Sequence, residues 1–439
     1  MGISEDYDEI LHCSRCGFCQ TACPIFRSTG HESGVARGRL ALLRALIEGR
    51  LEWTKEIEEP LFDCLLCGAC TSNCFTAIPT SNLIVNARAE YLEKVGRKPI
   101  HRLLFDQLLP YPRRLHLTAR AVALGKNTKI SDVARALGLL KIFGRDFPRA
   151  DEIVERLPAR AFRDETKPGS RRGEGNSLRI GFFIGCGMDI IQQNAANATL
   201  GLLQKIGKTV TVLDNCCCGL PAFTYGDLNV AQKLADKNMR ILGDGKFDVI
   251  VTDCSSCASF LKKYPDLFPE NDSRHKKAKA ISAGVKDLLE LVELVSVKTP
   301  PAVPKAGLSA TYHDPCHAVR GQGLSKEPRE ILKNIPGLEY RELPEADWCC
   351  GGAGSYALSH YDLSRQVLDR KMENVKKTGA DLLVTSCPAC IIHLSYGVRK
   401  HGLKTRVCHI SEVIAGRTAN YCSSFSGACA SGAGPFTAT

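Results

Sequence analysis

Two hydrophobic rhythms divide the chain. Up to about residue 165 the apolar residues recur at helical spacing, whereas from residue 178 they come in compact blocks that read as buried strands between helix-compatible stretches. Residues 34–50 carry Val35, Leu40, Leu42, Leu43, Leu46 and Ile47 in a helical pattern closed by Gly49, and a second helix is expected over 81–95. Residues 101–165 continue as short amphipathic helices, with breaks expected at Pro110, Pro112, Gly125, Gly144, Pro148 and Pro158. The stretch 167–176, rich in Gly, Ser and charge, is a linker by composition.

The second half follows α/β grammar. A strand run at 179–185 leads into Cys186, a helix-like stretch 190–206 precedes a strand at 209–213, and a third strand at 247–252 stops just before Cys254. The phrase then repeats: 308–313 runs into Cys316, 326–335 is helix-like, 343–348 precedes Cys349, and 380–385 ends just before Cys387. Corresponding cysteines are displaced by 130, 132, 133 and 133 residues, a near-constant offset that marks an internal duplication. Each copy has a single Cys, then Cys-Cys-Gly, then Cys-x-x-Cys: Cys186, Cys217, Cys218, Cys254 and Cys257 in the first, Cys316, Cys349, Cys350, Cys387 and Cys390 in the second. Neighbouring side chains diverge in extended backbone, so adjacent cysteines bind one metal group only at a turn, which Gly219 and Gly351 permit. Each group follows a strand, where an open parallel sheet places its ligand crevice. Cys216 adds a third consecutive cysteine, and whether 216/217 or 217/218 is the binding pair rests on alignment with the second copy.

The N-terminal part has its own pattern. Cys13-x-x-Cys16-x-x-Cys19-x-x-x-Cys23-Pro24 and Cys64-x-x-Cys67-x-x-Cys70-x-x-x-Cys74 resemble a bacterial-type two-cluster ferredoxin. Three closely spaced thiolates wrap one face of a cubane and the fourth reaches the other cluster. The implied ligand sets are Cys13, Cys16, Cys19 and Cys74 for one [4Fe-4S] cluster, and Cys64, Cys67, Cys70 and Cys23 for the other. Structural zinc uses two separated Cys-x-x-Cys pairs and has no use for the tripled run. Phe75 stands where the ferredoxin phrase often has proline, a departure expected to alter solvent exposure of that cluster.

With both patterns in view, residues 8–416 resemble the iron-sulfur subunit of glycolate oxidase, and the duplicated part resembles the cysteine-rich CCG domain of heterodisulfide reductase. His313-Asp-Pro-Cys-His317 and the run from Trp348 to Tyr356 carry that likeness most strongly. It implies a mainly α-helical two-cluster ferredoxin domain followed by two α/β CCG domains. It also implies one or two further iron-sulfur clusters on the CCG cysteines, noncubane by analogy, with zinc in one domain as the alternative. His313 and His317 are donors to the cluster, proton carriers, or hydrogen-bonded structural residues. Cys408 reads as a core thiol, and Cys422 and Cys429 as tail thiols. The expected divisions are 1–100 ferredoxin, 101–175 basic connector and linker, 176–300 and 301–420 the CCG domains, and 421–439 a disordered tail.

Composition narrows the setting. The 22 cysteines, an acidic N-terminus unlike a signal peptide, and the absence of any run approaching 18 apolar residues lead us to expect a cytoplasmic protein whose thiols bind metal and do not form disulfides. The net charge of +11 is uneven: −2 over residues 1–100, +7 over 101–175 and +6 over 176–439. The basic middle, which includes Arg113, Arg114, Arg120, Lys126, Lys129, Arg135, Lys141, Arg145 and Arg149, has few aromatics for stacking bases. It is either a solvated face or a dock for an acidic redox partner or anionic membrane surface; nucleic acid is not expected. No Gly-x-Gly-x-x-Gly frame at a strand-to-helix turn supports a flavin or nicotinamide site. Electrons therefore have to arrive from another subunit. The resemblance implies a flavin-containing 2-hydroxy-acid dehydrogenase subunit as donor, of glycolate or D-lactate type, and a quinone, an electron-transferring flavoprotein or another carrier as acceptor. The alternative is a catalytic subunit that reduces a disulfide at a CCG-bound cluster.

Overall fold

The computed structural model describes residues 2–128, 130–143, 146–175, 177–294, 307–354 and 356–416. The expected tail, with Cys422 and Cys429, lies outside them, as do Gly144, Lys129 and Arg145.

The N-terminal part is helical. Its two main helices, Ala36–Ile47 and Thr80–Lys94, fall where the apolar spacing places them and bury Leu40, Leu43, Leu83, Ile84 and Ala87 against Ile10, Leu61 and Tyr91. The connector is helical too, but Gly125 does not break it: helix Pro112–Asn127 runs through that residue, since one glycine costs a helix only about 1 kcal/mol. Connector side chains serve both halves of the α/β region: Phe105, Leu109 and Phe162 enter the larger core, while Ala150 and Ile153 enter the core around the second sheet.

Among the described residues, nine strands form two sheets. β1 (Gly169–Arg172), β2 (Arg179–Phe182), β3 (Thr209–Val212), β4 (Val249–Thr252) and β5 (Val285–Asp287) assemble in the order β1-β3-β2-β4-β5. β6 (Leu308–Tyr312), β7 (Leu338–Tyr340), β8 (Leu382–Thr385) and β9 (Arg406–His409) assemble as β7-β6-β8-β9. Leaving β1 aside, both sheets are parallel and place corresponding strands in the same order. Strands β4, β6 and β8 are buried along their whole length, as strands covered on both faces must be.

Two further expectations change. The compositional linker contributes β1, which pairs antiparallel with β3 (Gly169 opposite Val212); an exposed edge strand needs no apolar residues, so its composition hid it. The strand expected near 343–348 lies earlier, at β7, and 343–348 instead forms the turn that presents Cys349.

The sheets are not independent bodies. His409 at the end of β9 meets the Asp253 carbonyl through Nε2 at 2.8 Å, and the Ser411 hydroxyl donates to the Ala195 carbonyl at 3.0 Å. Residues of both sheets share one hydrophobic core, which takes in Ile180 and Val251 from the first and Leu308 and Val384 from the second.

Candidate metal centres

The two ferredoxin phrases share the same backbone turns. In each, the second residue after the first cysteine and the glycine after the second cysteine take left-handed backbone: Arg15 (φ 57°) and Gly17 (87°), then Leu66 (52°) and Gly68 (73°). A non-glycine residue seldom adopts this conformation, and its recurrence at matching positions curls each run of three cysteines around a common point. Cys13, Cys16, Cys19 and Cys74 line one pocket, with Cys70 on its wall. The other four also converge, since Cys70 feels the charge of Cys64 and Cys23 and Cys67 that of Cys70. The structure thus brings the members of each expected set near one another, with Cys70 close to both. Phe75 is 83% exposed and meets Phe18 edge-on with ring centres 4.9 Å apart, at the outer side of the first pocket.

Arginines surround these thiols, and nothing in the cysteine spacing revealed them. Arg37 donates to the Arg15 carbonyl at 3.2 Å beside the first group. Arg39, almost fully buried on helix Ala36–Ile47, donates to the Pro60 carbonyl at 2.6 Å and projects its charge onto Cys23 and Cys70. Arg88 donates to the Leu61 carbonyl at 3.1 and 2.7 Å, to that of Cys64 at 2.7 Å and to that of Thr224 at 2.5 Å. Burial pulls its guanidinium down to about 10, so it remains a cation at neutral pH. A set of thiolates needs such countercharge when withdrawn from water.

In the duplicated part, Gly219 (φ 102°) and Gly351 (φ 85°) supply the turns that aim adjacent cysteines inward, and a Cβ at Gly351 would come within 2.6 Å of the Ser364 carbonyl. Cys216 turns away, its sulfur 3.2 Å from Asn238 Oδ1, while the Cys217 sulfur lies 3.8 Å from that of Cys186; the inward pair is 217/218. Thiol contacts run on from Cys217 to Cys218, Cys257 and Cys254 in the first copy. In the second they join Cys387, Cys390, Cys350, Cys349 and Cys316. Hydrogen bonds from the Cys316 and Cys350 thiols, with the Gly351 N–H at 3.4 Å, hold Cys349 well below the usual thiol range. Those from Cys254 and Cys390 do the same for Cys387. The same thiol contacts, together with burial, push Cys316, Cys350 and Cys390 up, so thiolate character is concentrated on Cys349 and Cys387. Every cysteine of the two sets has another cysteine of its own copy as a partner. His313, beside Cys350 and Cys390, is left without a hydrogen bond among the described residues, so the donor set of the second copy fits an iron-sulfur group.

The groups abut one another. Cys70 lies on the wall of the first ferredoxin pocket, Cys67 lies in the field of Cys349, and Cys254 contacts Cys387 across the two copies. At that last junction Ser255 N–H donates to the Ser386 carbonyl at 3.0 Å, the two hydroxyls are 2.7 Å apart, and the Ser256 hydroxyl sits 3.3 Å from Cys387 and 3.2 Å from His317 Nδ1.

Comparison with known proteins agrees with this layout. The 4Fe-4S dicluster domain family matches residues 9–78, the cysteine-rich domain family matches 180–262 and 310–395, and the linker region of the glycolate oxidase iron-sulfur subunit matches 96–153. A probable glycolate oxidase iron-sulfur subunit of Bacillus subtilis is 30% identical over 93% of this chain and 94% of its own length. The chain belongs to the glycolate oxidase iron-sulfur subunit family. It is also 27% identical to one subunit of the fumarate reductase (CoM/CoB) of Methanothermobacter marburgensis, over 93% of this chain and 73% of that one. Lactate utilization protein A of a Geobacillus species is 31% identical over 55% of this chain and all of its own length. Iron-sulfur binding of the 4Fe-4S type and a place among oxidoreductase subunits follow from the family. Among the described residues no helix is long and apolar enough to cross a membrane.

Proposed function

We propose that this chain is the electron-transfer subunit of a complex that oxidises a glycolate- or D-lactate-type 2-hydroxy acid. A flavoprotein partner removes the electrons, and this chain passes them singly to a quinone, an electron-transferring flavoprotein or another carrier. Cys13, Cys16, Cys19 and Cys74 would hold one [4Fe-4S] cluster and Cys64, Cys67, Cys70 and Cys23 the second. The five cysteines of each CCG copy would hold one further iron-sulfur cluster. The observation that carries this reading is the unbroken succession of thiol groups, from Cys16 at the surface through Cys67 and Cys349 to Cys387 and Cys254. A chain that only bound metal for stability would have no reason to place four groups in series.

Docking falls to the connector, though through fewer charges than its composition suggests. Arg120 is paired with Asp164 at 2.9 Å, Lys126 with Asp151 at 2.5 Å, Arg135 with Asp151 at 2.8 Å, and Arg149 with Asp362 at 2.7 Å. Arg113 and Arg114 remain exposed at the start of helix Pro112–Asn127, and Leu117, Leu124, Ile130 and Val133 are exposed further along the connector. Exposed cations together with exposed apolar side chains would suit an acidic protein partner.

The test is to mix the anaerobically purified full chain with a flavin-linked hydroxy-acid dehydrogenase from the same source and add the hydroxy acid. The visible absorbance of the clusters should bleach at a rate set by the flavoprotein. Persistent oxidised clusters beside a fully reduced flavin would overturn the proposal.

A further inference from the structure

The two CCG copies agree in their cysteines and differ in what surrounds them. Three residues before the single cysteine stands Phe183 in the first copy and His313 in the second; three residues after the last cysteine stand Phe260 and His393. All four side chains are buried. His393 has a partner, with Nε2 3.0 Å from the Ser364 hydroxyl. His313 does not: neither of its ring nitrogens has a hydrogen bond among the described residues, although the residue is 1% exposed. The Ala346 carbonyl on its flank already accepts from the Asp314 N–H and from Lys371, both at 3.1 Å. A ring nitrogen of His313 and the sulfurs of Cys350 and Cys390 all lie within 4.8 Å of one another. A buried imidazole is rarely left unanswered, and this one faces the place where the group held by the second copy has to sit.

We infer that His313 donates its ring N–H to a sulfur of the group held by Cys316, Cys349, Cys350, Cys387 and Cys390, and that the second CCG site therefore has a higher reduction potential than the first. The inference rests on the reading that both sites hold iron-sulfur clusters. An added electron increases negative charge on the cluster sulfurs, and a fixed N–H aimed at one of them stabilises the reduced form; hydrogen bonds to sulfur are among the determinants of such potentials. The step is a one-electron reduction in which the proton stays on His313. In the first copy Phe183 offers no donor, so an electron reaching the pair rests on the site next to Cys67 and the ferredoxin groups. His313 is thus a positioning and tuning residue.

The experiment compares the full-length wild type, His313→Phe and His313→Gln, reconstituted anaerobically. Iron is counted in each, and redox titrations are followed by electron paramagnetic resonance, with electron-nuclear double resonance before and after exchange into deuterated water. We expect unchanged iron content and a fall in the potential of the second site in His313→Phe by at least about 59 mV, a tenfold change in electron occupancy for a one-electron couple. An exchangeable proton coupling should vanish with it, and the glutamine variant should restore part of both. An unmoved potential in a fully loaded phenylalanine variant would overturn the inference while leaving the cluster reading intact. So would a directly bound nitrogen, or loss of iron from the second site alone, because His313 would then be a ligand. Wild-type protein without iron at the second site would overturn both.

Discussion

Replacing Arg88 with methionine keeps the unbranched stem and removes the guanidinium that ties the ferredoxin part to the first CCG copy. Three buried carbonyls, those of Leu61, Cys64 and Thr224, lose their donor, and the cation over the Phe62 ring, 4.9 Å from its centre, is lost as well. Each orphaned carbonyl would cost about 1–3 kcal/mol, but the variant no longer has to desolvate a charge. Three orphaned carbonyls, offset by the desolvation no longer required, leave a net cost on the order of 3–5 kcal/mol. At about 1.4 kcal/mol per tenfold, the joint should open roughly a hundred to a few thousand times more often. Hydrogen exchange read by mass spectrometry on the holoprotein should show this in peptides over 58–66 and 220–226, with peptides over 382–409 as an unaffected control. Arg88→Lys should recover part of the protection. The Gly226→Ala change attacks the same joint from the other side, because Gly226 has φ of 92° and a Cβ there would lie 2.6 Å from the Ala89 nitrogen. Protection within threefold of wild type in Arg88→Met would refute the idea that this arginine holds the two parts together.

Cys16→Ser and Cys67→Ser should each remove about one cubane, about four irons, from full-length protein, and iron analysis that finds no loss in either would contradict the crossed ligand sets. Burial pushes the Asp287 carboxyl up to about 6, above its unfolded value of 3.8, so its favourable contribution is complete below that unfolded value and is lost as pH rises from there through about 6. Asp287→Asn should therefore gain stability relative to wild type by an amount on the order of 3 kcal/mol across that window, seen as a difference in thermal midpoint that widens from about pH 4 to about pH 6.5 and then levels off; a constant difference would count against it. Reversing the charge of Arg113 and Arg114 together should slow reduction by the flavoprotein at low ionic strength and have little effect at high salt, where screening acts within about 8 Å or less; stopped-flow bleaching at two salt concentrations decides this.

Much of this architecture is legible in the residues alone, because cysteine spacing and strand hydrophobicity are local signals. The runs that form β2, β4, β6 and β8 are apolar blocks ending shortly before a cysteine, and both left-handed turns of the ferredoxin phrases sit beside glycines the sequence displays. What escapes notice depends on neighbours distant in sequence. Arg39 and Arg88 look like the polar side of ordinary amphipathic helices, and only the packed structure shows them facing buried carbonyls beside thiols. β1 is polar because it is an edge, and β5 and β7 are too short, at three residues each, to stand out from their surroundings. His313 is visible as a residue near Cys316, but its lack of a partner is a property of the fold. The ferredoxin core also draws on Tyr225, and a second small core joins Cys23 and Val35 to Tyr356 and Val367, so a fragment ending near residue 100 would lack part of its own interior.

The serine seam between the two copies bears on speed. Ser255 and Ser386 are buried, as are Cys254 and Cys387, and their hydroxyls satisfy one another. Dipoles fixed in this way hardly turn when a charge arrives, whereas surface water would have to reorient around it. An electron crossing from one half of the duplicated unit to the other would meet a small reorganisation energy at this junction, so the crossing should be insensitive to solvent viscosity and isotope.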